Sequence, residues 1–286
     1  MWSIGIYSGV SQYSFEPAEG VTNPVLTAKQ VTDVRADFVA DPFMIKINDC
    51  WYMFFEVLNA DSRKGEIALA TSSDALQWSY SQIVLAEPFH LSYPYVFEWN
   101  GQVYMVPETR GANAVFLYVA DSFPSKWSRI ATLVSANAAD PSPFHTQDGW
   151  WMFVCPAPFA HDVLRLYYAD QLTGPWFEHA MNPVVSGDRR TARPGGRVLV
   201  LPGQVVRYTQ DCFPVYGTAV RAFDVTRLSR SNYQESENPR SPILGPAGAG
   251  WNGRGMHHLD PHLMPNGQWI ACVDGHPLAT NPSSGR

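Results

Sequence analysis

Acidic residues recur at matching points of a repeated pattern in this chain. Ala40-Asp41-Pro42-Phe43 runs into Trp51-Tyr52-Met53-Phe54, and Ala139-Asp140-Pro141-Ser142 runs into Trp150-Trp151-Met152-Phe153. Weaker copies put Tyr93 ahead of Pro94, Arg193 ahead of Pro194, and Asp260 ahead of Pro261, with His257 and His258 just before it. A second set of acids ends the returning segments: Glu56 after Met53-Phe54-Phe55, Glu108 after Met105-Val106-Pro107, and Asp211 after Tyr208-Thr209-Gln210. If the copies converge on one axis, like charges at close range force their pKa values apart. One group then holds a proton while its neighbour stays ionised, which is what general acid–base catalysis requires.

The elements that must position these residues follow from the rest of each copy. A short apolar run turns at Asn48-Asp49, Asn100-Gly101, Asp148-Gly149, Pro202-Gly203 or Asn266-Gly267 and, most clearly in the first three copies, returns as an aromatic run, the pattern of a β-hairpin. Alternating segments follow at 66–70, 115–120 and 164–169, with Trp78, Trp127 and Trp176 beyond them; the fourth, at 219–223, is a poorer match. An offset of about 50 residues with four strands per copy marks propeller blades rather than solenoid repeats. The fifth copy stops at Val273-Asp274 without its outer strands. Residues 3–8 followed by Asn23-Pro24-Val25-Leu26 match 164–169 followed by Asn182-Pro183-Val184-Val185, so the start of the chain supplies them. The expected fold is all-β: a five-bladed β-propeller over residues 1–275, a single domain whose last blade is closed by N-terminal strands, with 276–286 a disordered tail.

Composition narrows the function. The 286 residues carry a net charge of −6 and no basic tract, which argues against a nucleic-acid partner. No run approaches the roughly 20 apolar residues of a membrane span. Met1-Trp2-Ser3-Ile4-Gly5 lacks the pattern of a secretory leader, so a cytoplasmic location is expected. Cys50, Cys155, Cys212 and Cys272 sit in or beside four different returning strands, form no Cys-x-x-Cys pair, and read as small buried hydrophobes. There is no Walker loop, dinucleotide fingerprint or Gly-x-Ser-x-Gly elbow.

The Asp-Pro openings at Asp41 and Asp140, their Trp/Tyr-Met-Phe return strands, and the outer run Ile67-Ala68-Leu69-Ala70-Thr71-Ser72-Ser73-Asp74 resemble the five-bladed propeller glycosidases of glycoside hydrolase families 43 and 32. That resemblance implies a base or nucleophile at Asp41 and a residue that sets the pKa of the acid at Asp140. Over nearly the whole chain, the segments 51–57, 87–94, 192–197 and 255–260 are similar to the N-terminal propeller domain of plant glucosamine inositolphosphorylceramide transferases. There the transferase chemistry belongs to a separate domain. The resemblance therefore implies a fold and a glycan context more firmly than an activity.

One departure matters. The family 43 and 32 enzymes carry their general acid, a Glu, at the mouth of blade four, where this chain reads Thr191-Ala192-Arg193-Pro194. A guanidinium does not donate a proton usefully at neutral pH. Glu108 is the first candidate for a displaced acid, because Pro107 fixes its strand end; Glu56 and Asp211 follow. The catalytic candidates are Asp41, Asp140 and Glu108. Candidates for substrate contact are Glu56, Tyr93, Arg193, Asp211, His257, His258 and Asp260, and a few rim aromatics such as Phe89, Tyr95, Trp99 or Trp251 could stack on sugar rings. Arg193, with Arg197 or Arg207, either grips an acidic or phosphorylated sugar or serves as counter-ion to Asp41 or Asp140.

No cofactor is expected, although the resembling glycosidases include members with a calcium ion on the axis. His257 and His258 are adjacent, and adjacent strand residues point to opposite faces, so they are not expected to share an ion; His258, Asp260 and His262 share parity. Two functions remain: a glycoside hydrolase, with inversion favoured by the family 43 resemblance and a furanosidic or acidic glycan as possible substrate, or a non-catalytic glycan-binding propeller serving a glycosyltransferase or polysaccharide-assembly system.

Overall fold

A computed structural model describes residues 1–156 and 159–278. Five antiparallel sheets follow one another around an axis. Blade one comprises Ala36–Ile47, Cys50–Asn59, Lys64–Ser72 and Ser79–Leu85, and blade two Ser92–Trp99, Gln102–Glu108, Val115–Ser122 and Lys126–Val134. Blade three runs Ala139–Thr146, Gly149–Cys155 and Val163–Ala169, with its outer edge split between Phe177–Glu178 and Val185–Ser186. Blade four is Leu199–Leu201, Gln204–Asp211, Ala219–Ser229 and Asn232–Glu237.

The last blade joins the two ends of the chain. Leu259–Leu263 and Trp269–Gly275 are followed by Ser3–Ser11, paired from Ser3↔Gly275 to Gly9↔Trp269, and then by Ser14–Pro17 outermost. Closure of this kind leaves no open edge between the first and last units. The anticipated match between residues 23–26 and 182–185 is a shared clamp. Asn23 Oδ1 accepts from Ile6 N at 2.8 Å and its Nδ2 donates to Ile6 O at 3.0 Å; Asn182 does the same to Leu166 at 2.8 and 2.9 Å. Blade four, the poorer match in sequence, has the clamp too, with Ser241 Oγ between Ala222 N and O at 2.9 and 3.2 Å.

Burial is distributed between blades. Ile4, Ile6 and Leu26 pack with Met44, Met53 and Phe55, so the closing strand shares its core with blade one. Phe43, Phe54 and Tyr95 seal blade one to two; Val106, Trp150 and Met152 seal two to three. Trp151, Phe153 and Tyr233 seal three to four, and Tyr208, Leu259 and Trp269 seal four to five. The aromatic return strands of the sequence are therefore the wedges of the ring, as a propeller's face-to-face sheets require. Cys155, Cys212 and Cys272 are buried and Cys50 is half-buried. No helix among the described residues is long and apolar enough to cross a membrane. His276 still pairs with Gly255, so order extends past 275; residues 279–286 of the expected tail lie outside the described residues.

Candidate functional site

The blade openings are bulged. Asp41, Tyr93 and Asp140 have φ of 52°, 47° and 50°, and the pairing register slips across each, between Ala40 and Phe43, Ser92 and Tyr95, Ala139 and Ser142. A left-handed conformation is costly for an L-residue and uncommon ahead of proline, so three equivalent instances mark positions held by their surroundings.

A cavity of ≈ 280 Å³ opens at this end of the axis, and Asp41, Glu56, Glu108, Arg193 and His257 line it. Glu56 Oε1 lies 3.2 Å from His90 Nε2; Gly65 N donates to His90 Nδ1 at 2.8 Å, which directs the Nε2 proton at Glu56. Glu108 Oε1 meets Arg110 Nε at 2.9 Å while Oε2 accepts from Asp140 N at 3.3 Å and lies 3.9 Å from Arg193. Burial, helped by the charge of Asp140 and opposed by Arg193 and Arg110, pushes Glu108 up to about 7. Asp41 is also raised well above the usual carboxylate range, by burial first and then by Glu56, Asp274 and Asp140.

Asp140 lies beneath the cavity, 1 % exposed. Arg193 grips it by Nε at 2.5 Å and Nη2 at 3.3 Å, and Gln210 Nε2 adds a bond at 2.9 Å. The same guanidinium meets His161 Nδ1 at 3.1 Å and lies over the Tyr216 ring. Arg193 thus serves as counter-ion to Asp140 while still facing the opening.

Four other candidates sit elsewhere. The Tyr93 hydroxyl accepts from Gly196 N at 2.8 Å, donates to Gly196 O at 2.9 Å and meets Ser142 Oγ at 2.9 Å, a cross-axis tie with nothing left for a ligand. Asp211 accepts from Arg221 Nε and Phe213 N, at 2.8 and 2.9 Å; it is Gln210, one residue earlier, that faces the axis. Asp260 is bonded to Arg197, to Met44 N at 2.6 Å and to His262 at 3.1 Å. Burial alone would raise Asp260, but Arg197 and His262 hold it well below the usual range. His258 is fully buried between the edges of Phe43 and Tyr93, and burial pushes it down to about 4.

His257 Nδ1 is 2.7 Å from Asp274 Oδ1, and its ring stacks on the Trp2 indole at 3.9 Å. Asp274 Oδ2 accepts from Asp41 N at 3.1 Å. Among the described residues, Asp41, His257 and Asp274 form the grouping whose ligand-type atoms all lie within 4.8 Å of one another. The parity set His258, Asp260 and His262 does not form such a group. Asp274 was missed among the site residues, although it follows the return run Trp269–Val273 much as Glu56 and Glu108 follow theirs. Trp2, Phe159 and Tyr216, which line the wall, come from outside the repeat and carry no periodic signal.

The five-bladed ring is a fold that this chain shares with solved glycoside hydrolases. A glycosyl hydrolase from Bacteroides ovatus superposes with TM-score 0.69 at 10% identity, covering 95% of this chain and 97% of its own. A thermostable family-43 glycoside hydrolase gives TM-score 0.61 at 15% identity, covering 93% and 96%. Residues 1–276 match the family model for glucosamine inositolphosphorylceramide transferase 1, N-terminal, and the chain belongs to that family. The transferase of that name from Oryza sativa subsp. japonica is 32% identical over 309 residues, covering 100% of this chain and 41% of the relative. The chain thus spans about two fifths of the length of the curated relatives it matches.

Proposed function

We propose that the chain is a carbohydrate-active propeller that takes a glycan in its axial cavity and cleaves a glycosidic bond there. The observation that carries this reading is the meeting of Asp41, Glu56 and Glu108, drawn from two blades, in one cavity beside Arg193. Hydrolysis needs a group that protonates the leaving oxygen and a carboxylate that activates water or attacks the sugar. Glu108, pushed up to about 7, suits the first task at neutral pH. Asp41, held in its bulge at the mouth, takes the second in its ionised form, which burial and Glu56 confine to the more alkaline side of the pH profile, with Asp140 tuning Glu108 through space. The family 43 resemblance favours inversion, and Arg193 and Arg110 beside the carboxylates favour a glycan carrying an acidic group.

The test is release of reducing sugar from a panel of aryl glycosides and natural glycans, furanosides and acidic sugars included. Activity should fall at least 100-fold in both Asp41→Asn and Glu108→Gln. Activity that survives both substitutions would remove these residues from the chemistry.

A second reading is favoured by Arg193, which stands where the related glycosidases keep their acid and is tied to Asp140 by two bonds. On that reading the cavity binds a glycan for a transferase or polysaccharide-assembly system without cleaving it. Glycan binding with no release, unchanged in Asp41→Asn, would select it.

A further inference from the structure

The rim of the axial opening is lopsided, and the chemistry of the cavity does not account for it. On one side stand the loops that follow the return strands Gly149–Cys155 and Gln204–Asp211. Phe159, in the first, is 80 % exposed. In the second, Phe213-Pro214-Val215-Tyr216 are exposed as an unbroken run, at 48 %, 43 % and 38 % for the Phe, Val and Tyr. Consecutive apolar residues held in water mark a surface with a function. The equivalent loop of blade one, between Cys50–Asn59 and Lys64–Ser72, shows charged pairs instead, Arg35–Asp61 at 2.6 Å and Arg63–Asp37 at 2.7 Å.

The apolar lip is continuous and carries cations. His161 stacks on Tyr216 at 5.2 Å, which joins the two loops, and Cys212 N donates to Arg189 O at 2.8 Å, which brings the preceding segment against the second. Arg190 lies 4.2 Å over the Phe213 ring and Arg110 4.8 Å over Phe159. Arg189 and Arg190 are exposed, whereas Asp162 and Asp188 are half-buried and Asp188 is turned toward Arg190 N and the Thr191 hydroxyl. Asp211 is buried against Arg221.

We propose that this lip docks on the surface of an anionic lipid bilayer, with Phe159, Phe213 and Val215 entering the interface and Arg189 and Arg190 meeting the headgroups. Aromatic side chains at loop tips beside arginines match the two demands of that surface, an apolar boundary beneath a negative potential. The rest of the chain, with a net charge of −6, is repelled by the same potential, so only the lip faces it. A protein partner fits less well. Side chains of about 150–250 Å² each, at these exposures, offer on the order of 400 Å², half of the roughly 800 Å² that each side of a stable protein interface buries. Docked by its lip, the axial cavity opens toward the headgroups. The corollary that its glycan is borne on lipid rests on the cavity taking a sugar; the docking does not.

The test uses vesicles and no sugar. The full chain is sedimented with vesicles of phosphatidylcholine alone, or of phosphatidylcholine with about 30 mol % phosphatidylserine. It should bind the second kind and not the first, and rising salt should weaken the binding. The double variants Phe159→Ser/Phe213→Ser and Arg189→Glu/Arg190→Glu should each weaken it at least about 10-fold. Phe177→Ser, which removes an equally exposed ring from the outer edge of blade three, should leave it unchanged. Hydrogen exchange on the unaltered protein covers the case of a variant that does not fold: with phosphatidylserine vesicles, residues 211–219 should gain protection and residues 59–64 should not. Absence of vesicle binding, equal binding by the folded Phe159→Ser/Phe213→Ser variant, or protection that spares 211–219 overturns the lip as a membrane surface. None of these results bears on whether sugar is released.

Discussion

Glu108 holds the most testable position among the cavity carboxylates. Its folded-state pKa, about 7, lies above the ordinary 4.5, so the folded form binds the extra proton between those values. Stability tied to that proton is fully present below about 4.5 and is lost as pH rises through about 7. Denaturant unfolding should therefore show the unaltered protein losing on the order of 1–3 kcal/mol through this group between pH 4.5 and 7.5, with a shallower fall in Glu108→Gln, where the raised Asp41 carboxyl still contributes. A parallel slope in the variant would place the titration elsewhere. That Asp41, Glu56, Glu108, Arg193 and His257 share one opening was legible, because propeller symmetry carries equivalent positions to one axis. The choice of Gln210 over Asp211 was not, since it turns on a one-residue register that alternation makes all-or-none. Nor was the locking of Tyr93, whose partner Gly196 lies on another blade 103 residues away.

At the scale of the element, an outer segment is fastened to the third strand of a blade by one polar side chain. Asn23, Asn182 and Ser241 each bridge the N–H and C=O of a single residue, Ile6, Leu166 and Ala222. Asn182→Ala leaves both backbone groups of Leu166 without that partner and should cost about 1–3 kcal/mol, read as a lower urea midpoint with m unchanged. Asn182→Ser should keep part of the loss at bay, as Ser241 performs the same task in blade four. Repetition of Asn-Pro-Val made two of the clamps visible in the sequence. The third was hidden because Ser-Pro-Ile-Leu shares its geometry and little of its spelling.

Across the whole molecule, Arg197 works as a hub. From blade four it bonds Asp260 in blade five, Val96 O in blade two at 3.0 Å and Met44 O in blade one at 3.2 Å. Arg197→Met leaves Asp260 buried with its main counter-ion gone and should cost about 3–5 kcal/mol. The double variant Arg197→Met/Asp260→Leu should recover part of that in thermal unfolding; no recovery would show that the carbonyl bonds carry the effect. The blade count and the joining of the ends were readable from hairpin spacing, whereas a hub made of one side chain and two carbonyls leaves no trace in any pattern of residue types.

The joining of Ser3–Ser11 to Trp269–Gly275 also dictates a timetable. Ser3–Ser11 is made before the four complete blades and its partner Trp269–Gly275 after them, so Ile4 and Ile6 must wait, unsheltered, while those blades are synthesised. The nascent chain spends that interval as an open ring with one apolar strand searching for its slot, the kind of exposed edge that chaperones bind and that aggregation exploits.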